Sequence, residues 1–170
     1  MTTSRYEELQ ELTTQYGEYT WAFYNRVHDA GSKIIESYSA FLGGPKSAAN
    51  GVPPYGEFEP RGLYRDASFS SHERGTTYLE PIFMGICTEI GNKADDGATW
   101  VRTVIEFKPS GSELVALVGV RSRRAVIGQE PSAAMEAICE AIFEDVREAF
   151  SAELDEASGR TRIGFIAARE

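Results

Sequence analysis

The most informative part of the sequence is residues 4–45, which read SRYEELQELTTQYGEYTWAFYNRVHDAGSKIIESYSAFLGGP. Large apolar residues recur there mostly at steps of three and four, the spacing that places side chains on one face of an α-helix. Ser4 and Glu7 have the spacing of a capping box, and Gly43-Gly44-Pro45 supplies a stop signal. The stretch predicts an amphipathic helix from about residue 5 to residue 42, whose apolar face contains Leu9, Leu12, Tyr16, Tyr19, Phe23, Val27, Ile34, Tyr38 and Phe41.

This helix, if unbroken, would be about 55 Å long, which exceeds the width of a compact domain of 170 residues. Either Gly17 or Gly31 marks a bend, or one end of the segment 1–44 projects and packs on another chain. A core helix packed across a sheet is the favoured interpretation, and a partner-binding helix is the alternative.

The remainder of the chain predicts a sheet and a second helix. Residues 45–76 are rich in Gly, Pro, Ser and Asn yet carry aromatic residues, so we expect an ordered loop; the alternation over 63–69 permits a short edge strand. Apolar and alternating segments between residues 78 and 120 predict an antiparallel meander with one buried and one mostly wet face. A second amphipathic helix opens at Pro131 and Ser132, and Ile163, Phe165 and Ala167 predict a last strand.

These elements together predict one α+β domain over 1–170. It would contain a long N-terminal helix, an antiparallel sheet of three to five strands, a second amphipathic helix and a C-terminal strand.

The composition excludes several classes of protein. A formal charge of −9 opposes binding to nucleic-acid backbones, and no apolar stretch reaches the roughly 20 residues that span a bilayer. Cys87 and Cys139 lie in apolar segments, which favours buried, reduced thiols and a cytoplasmic location. With only two histidines, His28 and His72, and no clustered cysteines, we expect no metal and no cofactor.

One short motif would suit catalysis. Glu106 and Lys108 are two residues apart on a predicted strand, so their side chains share a face. This Glu-x-Lys, with the order of helices and strands, loosely resembles nucleases with a restriction-endonuclease-like core, in which such a pair and a second acid hold Mg²⁺. Glu89 or Glu80 would supply that acid here. A Mg²⁺-dependent nuclease-like enzyme is therefore one alternative function.

A second alternative is a binder of small phosphorylated ligands. Five arginines collect at the ends of two predicted strands, and guanidinium groups bind phosphate oxygens well. The acidic outer face of the second helix could instead neutralise them through surface ion pairs, which is the favoured interpretation. The candidate anion-binding residues are Arg121, Arg123, Arg124, Arg160 and Arg162.

The leading hypothesis is a non-catalytic protein-interaction subunit of accessory, chaperone-like, immunity or inhibitor type. It would bind another protein, or a copy of itself as a homo-oligomer, through the long helix and the aromatic loop. Large aromatic side chains contribute much of the binding energy where they are fully desolvated. The predicted partner-binding residues are Trp21, Tyr24, Tyr55, Phe58 and Tyr64.

Overall fold

The structure is a computed structural model that describes residues 2–72, 79–151 and 162–168. It confirms the predicted α+β fold with a long first helix, an antiparallel sheet, a second helix and a C-terminal strand. The helices and strands are α1 (Arg5–Leu42), β1 (Ala49–Val52), β2 (Ile82–Gly91), β3 (Ala98–Ser110), β4 (Glu113–Val118), β5 (Arg123–Ile127), α2 (Pro131–Ser151) and β6 (Ile163–Ile166).

Helix α1 begins and ends where its local signals predict. The Ser4 side chain accepts a hydrogen bond from the backbone N–H of Glu7, and the Glu7 carboxylate accepts one from the N–H of Ser4. Gly43 ends the helix in the left-handed conformation, with φ of 67°. The helix runs for 38 residues through both Gly17 and Gly31, so neither glycine ends it.

The sheet is an antiparallel meander in the order β1-β2-β3-β4-β5. Strand β3 is the longest, with 13 residues, and it pairs with β2 along one edge. Its other edge is shared, because β4 pairs with residues 105–110 and β6 pairs with residues 98–101. The C-terminal strand therefore joins the middle of the sheet and not its outer edge.

Both helices pack on the same face of the sheet. Helix α1 buries Phe23, Val27, Ile34 and Tyr38 against the sheet, where it contacts β1, β2 and β4, and helix α2 buries Ile138 and Ile142 beside it. A buried carboxylate ties α2 to the strands: Asp145 accepts hydrogen bonds from the Thr103 hydroxyl at 2.7 Å, the Val120 backbone N–H at 3.0 Å and the Arg162 guanidinium at 2.7 Å. Its oxygens thus link β3, the turn after β4, and the residue that precedes β6.

The other face of the sheet is covered around Arg102, which corrects the prediction of a mostly wet face there, whereas Lys108 and Arg124 on the same face are exposed. The loop that follows β1 crosses it, and the buried guanidinium of Arg102 donates to the carbonyls of Pro53 at 2.9 Å and Gly56 at 3.0 Å. The Phe58 ring lies over Arg102 and edge-on to Trp100. A polar residue at an outward position of a strand is therefore buried here because loop carbonyls satisfy its donors.

The predicted loop 45–76 contains more regular structure than its composition indicates, and residues 73–76 lie outside the described residues. Strand β1 forms within it, and two short 3₁₀ turns flank that strand at Lys46–Ala48 and Arg65–Ser68. The prediction of an edge strand over 63–69 is wrong, because within that range only Phe69 forms a β-bridge, to Met84 of β2.

Two buried titratable groups give the core a pH dependence. Burial raises the pKa of the Cys87 thiol from 9.0 to about 12. Burial likewise raises the pKa of Tyr38 from 10.0 to about 12, although its hydroxyl forms a hydrogen bond with the Thr88 hydroxyl at 3.0 Å, which lowers the pKa. The folded protein therefore holds both protons at a pH where the unfolded chain releases them.

Because both pKa values are raised on folding, their contribution to stability is complete below pH 9 and is lost as the pH rises towards 12. We expect the free energy of unfolding to be about 4 kcal/mol lower at pH 11 than at pH 8. Denaturant unfolding across this range would measure it. The double substitution Cys87→Ala, Tyr38→Phe should reduce the slope, leaving the part due to buried Cys139, whose pKa is also raised. The exposed control Tyr6→Phe should keep the full slope, and an unchanged slope in the double variant would contradict the assignment.

Candidate partner-binding surface

The environment of α1 changes abruptly along its length. From Thr20 onwards one face is buried, and the buried residues recur at steps of three and four. No residue of the helix before Thr20 is buried. The helix therefore has a packed part and a projecting segment, Arg5–Tyr19, which is about 22 Å long.

The sheet meets the helix at the turn between β3 and β4. The Tyr19 hydroxyl donates to the carbonyl of Gly111 at 3.1 Å, and the Arg26 guanidinium donates to the carbonyl of Ser112. Two residues before Tyr19, the helix is already in open space: a Cβ placed on Gly17 would have no other atom within 4 Å. The projecting segment thus begins where this turn ends.

The projecting segment carries an exposed row of large hydrophobic side chains, here called the apolar seam. Its members are Tyr6, Leu9, Leu12, Tyr16 and Tyr19, whose exposed fractions are 71%, 58%, 54%, 59% and 37%. Positions 6, 9, 13 and 16 have the heptad spacing that continues into the packed positions 20, 23, 27, 30 and 34. The same face of α1 is therefore exposed to solvent in the first half of the helix and buried against the domain in the second half.

Charge on the projecting segment lies mainly away from the apolar seam. Glu7, Glu11 and Glu18 are on the opposite side of the helix, and Glu8 borders the seam next to Leu12. The other border is uncharged, since Gln10 and Gly17 occupy it. The segment is therefore strongly amphipathic, with the negative charge facing solvent.

The predicted anchors on the helix, Trp21 and Tyr24, lie beside the packed part and off the apolar seam. Trp21 is 55% exposed and stands edge-on to Tyr24, with ring centroids 5.6 Å apart. Tyr24 contacts the His28 ring, which stacks on Phe69 at 4.1 Å. Burial lowers the pKa of His28, and the nearby Asp66 carboxylate acts in the opposite direction. These rings fasten the loop before β2 to α1 and leave Trp21 at the surface.

The predicted anchors in the loop are on a different surface. Tyr55 is exposed and packs on Phe83, and Phe58 packs on Trp100, so both lie over the sheet face that α1 does not cover. The Tyr64 hydroxyl accepts a hydrogen bond from the Glu59 backbone N–H at 2.7 Å, which closes the loop on itself. The structure therefore does not bring the five predicted anchors together as one patch.

The residues of the apolar seam were predicted as part of the apolar helix face, with the exception of Tyr6, but not as partner-binding residues. The periodic pattern alone cannot distinguish them from the core, because both halves of α1 have the same spacing. The available signal was the helix length, which exceeds what a domain of this size can cover.

Of the residues proposed for a nuclease-like site, Glu106 and Lys108 lie together, Glu80 lies just before β2, and Glu89 lies apart from Glu106. The Glu106 carboxylate and the Lys108 ammonium form an ion pair at 3.4 Å on β3. Glu89 forms a hydrogen-bonded ion pair with Arg61 at the other end of β2. Since Glu106 is opposite Phe83 in the register, Glu89 lies six residues further along β2, about 20 Å away. These two carboxylates do not share one metal site, and the described part of the chain contains no group of three or more His, Cys, Asp or Glu that could hold a metal ion.

The arginines proposed for anion binding are engaged with acidic residues of α2. Arg121 and Arg123 both pair with Glu148, at 3.0 and 2.7 Å, and Arg162 pairs with the buried Asp145. Arg124 is exposed, and Arg160 lies outside the described residues. The structure thus brings three of the five arginines to α2, in the arrangement expected of ion pairing.

Neither helix in the described ranges combines the length and the hydropathy that a membrane span requires.

Because the apolar seam touches little of its own domain, its residues should contribute little to folding. We expect Leu9→Ala to change the free energy of unfolding by less than about 0.5 kcal/mol. Phe23→Ala, two heptads further along the same face and fully buried, should lower it by about 3–5 kcal/mol. Chemical denaturation at the lowest usable protein concentration is the appropriate measurement, because association would add to stability. A loss at Leu9 as large as the loss at Phe23 would show that the segment is packed.

Comparisons of the chain with protein-family models, with curated proteins and with solved structures find no match. Function is therefore inferred from the surfaces and contacts described above.

Proposed function

We propose that the protein is a non-catalytic protein-interaction subunit of accessory, chaperone-like, immunity or inhibitor type, and that the projecting segment of α1 is its binding surface. The observation that carries this proposal is the apolar seam: five large hydrophobic side chains stand in one row on a helix that leaves its own domain. Single exposed apolar residues are ordinary on protein surfaces, but a contiguous row marks an interaction site.

The packed part of α1 makes the seam an effective binding surface. A free helix of 15 residues is marginally stable in water, because helix nucleation is costly. Here the packed part supplies the nucleus, and the capping box at Ser4 and Glu7 satisfies the free end. The seam is therefore presented in its binding conformation, and a partner does not have to supply the free energy that orders it.

The chemistry of the seam defines the kind of partner. Three tyrosines and two leucines at helical steps of three and four fit an apolar groove or the apolar face of another helix. The acids on the outer side remain in solvent in such a complex, so the partner needs no basic surface. A net charge of −9 further disfavours nucleic acid as the partner.

The alternative functions have weaker support. A Mg²⁺ site built on Glu106 and Glu89 lacks the required proximity, and the candidate phosphate-binding arginines are mostly paired with Glu148 and Asp145. We also propose a cytoplasmic location, because Cys87 and Cys139 are both free and buried.

The proposal is tested with two matched variants. The seam variant Leu9→Glu, Tyr16→Glu places two charges within the apolar seam. The control variant Thr14→Glu, Asn25→Glu adds the same charge at exposed positions on the opposite side of α1. Each protein is immobilised and exposed both to an extract of the cells that produce it and to purified wild-type protein. We expect wild type and control to retain the same binding partner, whether that is another protein or the chain itself, and the seam variant to bind it at least about tenfold more weakly. Equal retention by all three proteins, with unchanged helical circular dichroism, would refute the proposal.

A further inference from the structure

We propose that the apolar seam binds a second copy of this chain, as an antiparallel pair of projecting segments related by a two-fold axis. This inference rests on the proposed function, because it uses the same surface and names its occupant. Four features of the projecting segment support it: its charge distribution, the position of its own sheet, the match of residues across the pair and the area available.

The charge distribution permits self-association of an acidic protein. Two copies with a charge of −9 repel each other unless their contact surface is free of like charges. In a helix pair, the residues that border the seam decide partner choice, and like charges there oppose pairing. Gln10 and Gly17 border the seam on one side, Glu8 is the one carboxylate on the other border, and Glu7, Glu11 and Glu18 point away from the seam. The contact between two copies therefore brings few carboxylates together.

The position of the sheet selects the antiparallel orientation. The seam face of each helix is covered by its own sheet from Thr20 onwards. In a parallel pair, both sheets would lie on the seam side at the same end of the two helices and would occupy the same space. In an antiparallel pair, each sheet lies beyond the N-terminal end of the other helix, so both domains are accommodated.

The same steric limit sets the register. Antiparallel heptad pairing places a and d positions in shared layers, so Tyr6 lies opposite Tyr16 of the second copy, and Leu9 lies opposite Thr13. A register shifted by one heptad towards the sheet would place Leu9 opposite Thr20, which is already buried in its own domain. The register that remains places Tyr6 opposite Tyr16 at each end of the pair and Leu9 opposite the smaller Thr13 near its centre.

The area is sufficient for a specific interface. The exposed parts of the five seam side chains present on the order of 500 Å² per chain. Pairing two copies would bury on the order of 1,000 Å², the size at which specific interfaces begin. The contact is isologous, so it closes on itself at two chains and leaves no free seam for further growth.

The first test is the mass of the protein in solution, by light scattering after size-exclusion chromatography over a concentration series. We expect wild type and the control variant Thr14→Glu, Asn25→Glu to approach twice the chain mass of 18.8 kDa. The seam variant Leu9→Glu, Tyr16→Glu should remain at the single-chain mass with unchanged circular dichroism. A wild type that stays at the single-chain mass at every concentration would overturn the second copy as the occupant. The proposed function would survive that result if binding of another protein still required the seam, and it would fail if nothing did.

The second test is orientation, by disulfide formation between introduced cysteines. We expect a mixture of Tyr6→Cys and Tyr16→Cys chains to form a cross-linked dimer more readily than either variant alone, because position 6 lies opposite position 16 of the partner. The native Cys87 and Cys139 are buried, so cross-linking of the wild type measures the background that these two thiols contribute. Efficient cross-linking within each variant alone, and none added by mixing, would establish a parallel pair and overturn the antiparallel proposal.

Discussion

The structure depends on a mismatch of lengths between one helix and one sheet. Helix α1 carries a single apolar face over 38 residues, but the sheet covers that face only from Thr20 onwards. Burial of Phe23, Val27 and Ile34 fixes the helix on the sheet, and each such side chain contributes roughly 1.5–3 kcal/mol of transfer free energy. Because helix formation propagates cooperatively from this packed part, the first half can stay helical beyond the sheet without cover from its own domain.

Two buried polar groups hold the rest of the domain around that helix and sheet. Asp145 connects α2 to β3, to the turn after β4 and, through Arg162, to the start of β6. Arg102 performs a similar task on the opposite face, where the carbonyls of Pro53 and Gly56 bring the loop down over the sheet. A charged side chain in such a site is tolerated only when its hydrogen bonds are satisfied, so each group specifies which segments must come together.

The sequence predicts this fold well where local signals decide and poorly where distant residues decide. The ends of α1 follow from Ser4, Glu7 and Gly43, whose roles depend only on neighbouring backbone groups. The covered face of β3 could not be predicted, because alternation identifies Arg102 as an outward residue and says nothing of the loop that meets it. The choice of Tyr55 and Phe58 as anchors has the same origin: their aromatic character was evident, but their packing on Phe83 and Trp100 was not. The extent of the seam depends on where the sheet ends, which no local pattern records.

The residue types differ between the two halves of α1, and the difference suits a projecting segment that is in water when free and covered when a partner binds. The packed part is lined by Phe23, Val27 and Ile34, which have no polar atoms, and its one buried tyrosine, Tyr38, needs the Thr88 hydroxyl as a hydrogen-bond partner. The projecting segment uses tyrosine at three of the five seam positions, 6, 16 and 19. A tyrosine ring buries a large apolar area in a complex, while its hydroxyl reaches the rim and keeps the free surface compatible with water. The packed half of this helix face has the composition of a permanently buried contact. The projecting half has the composition of a contact that forms when a partner binds and is exposed when it dissociates.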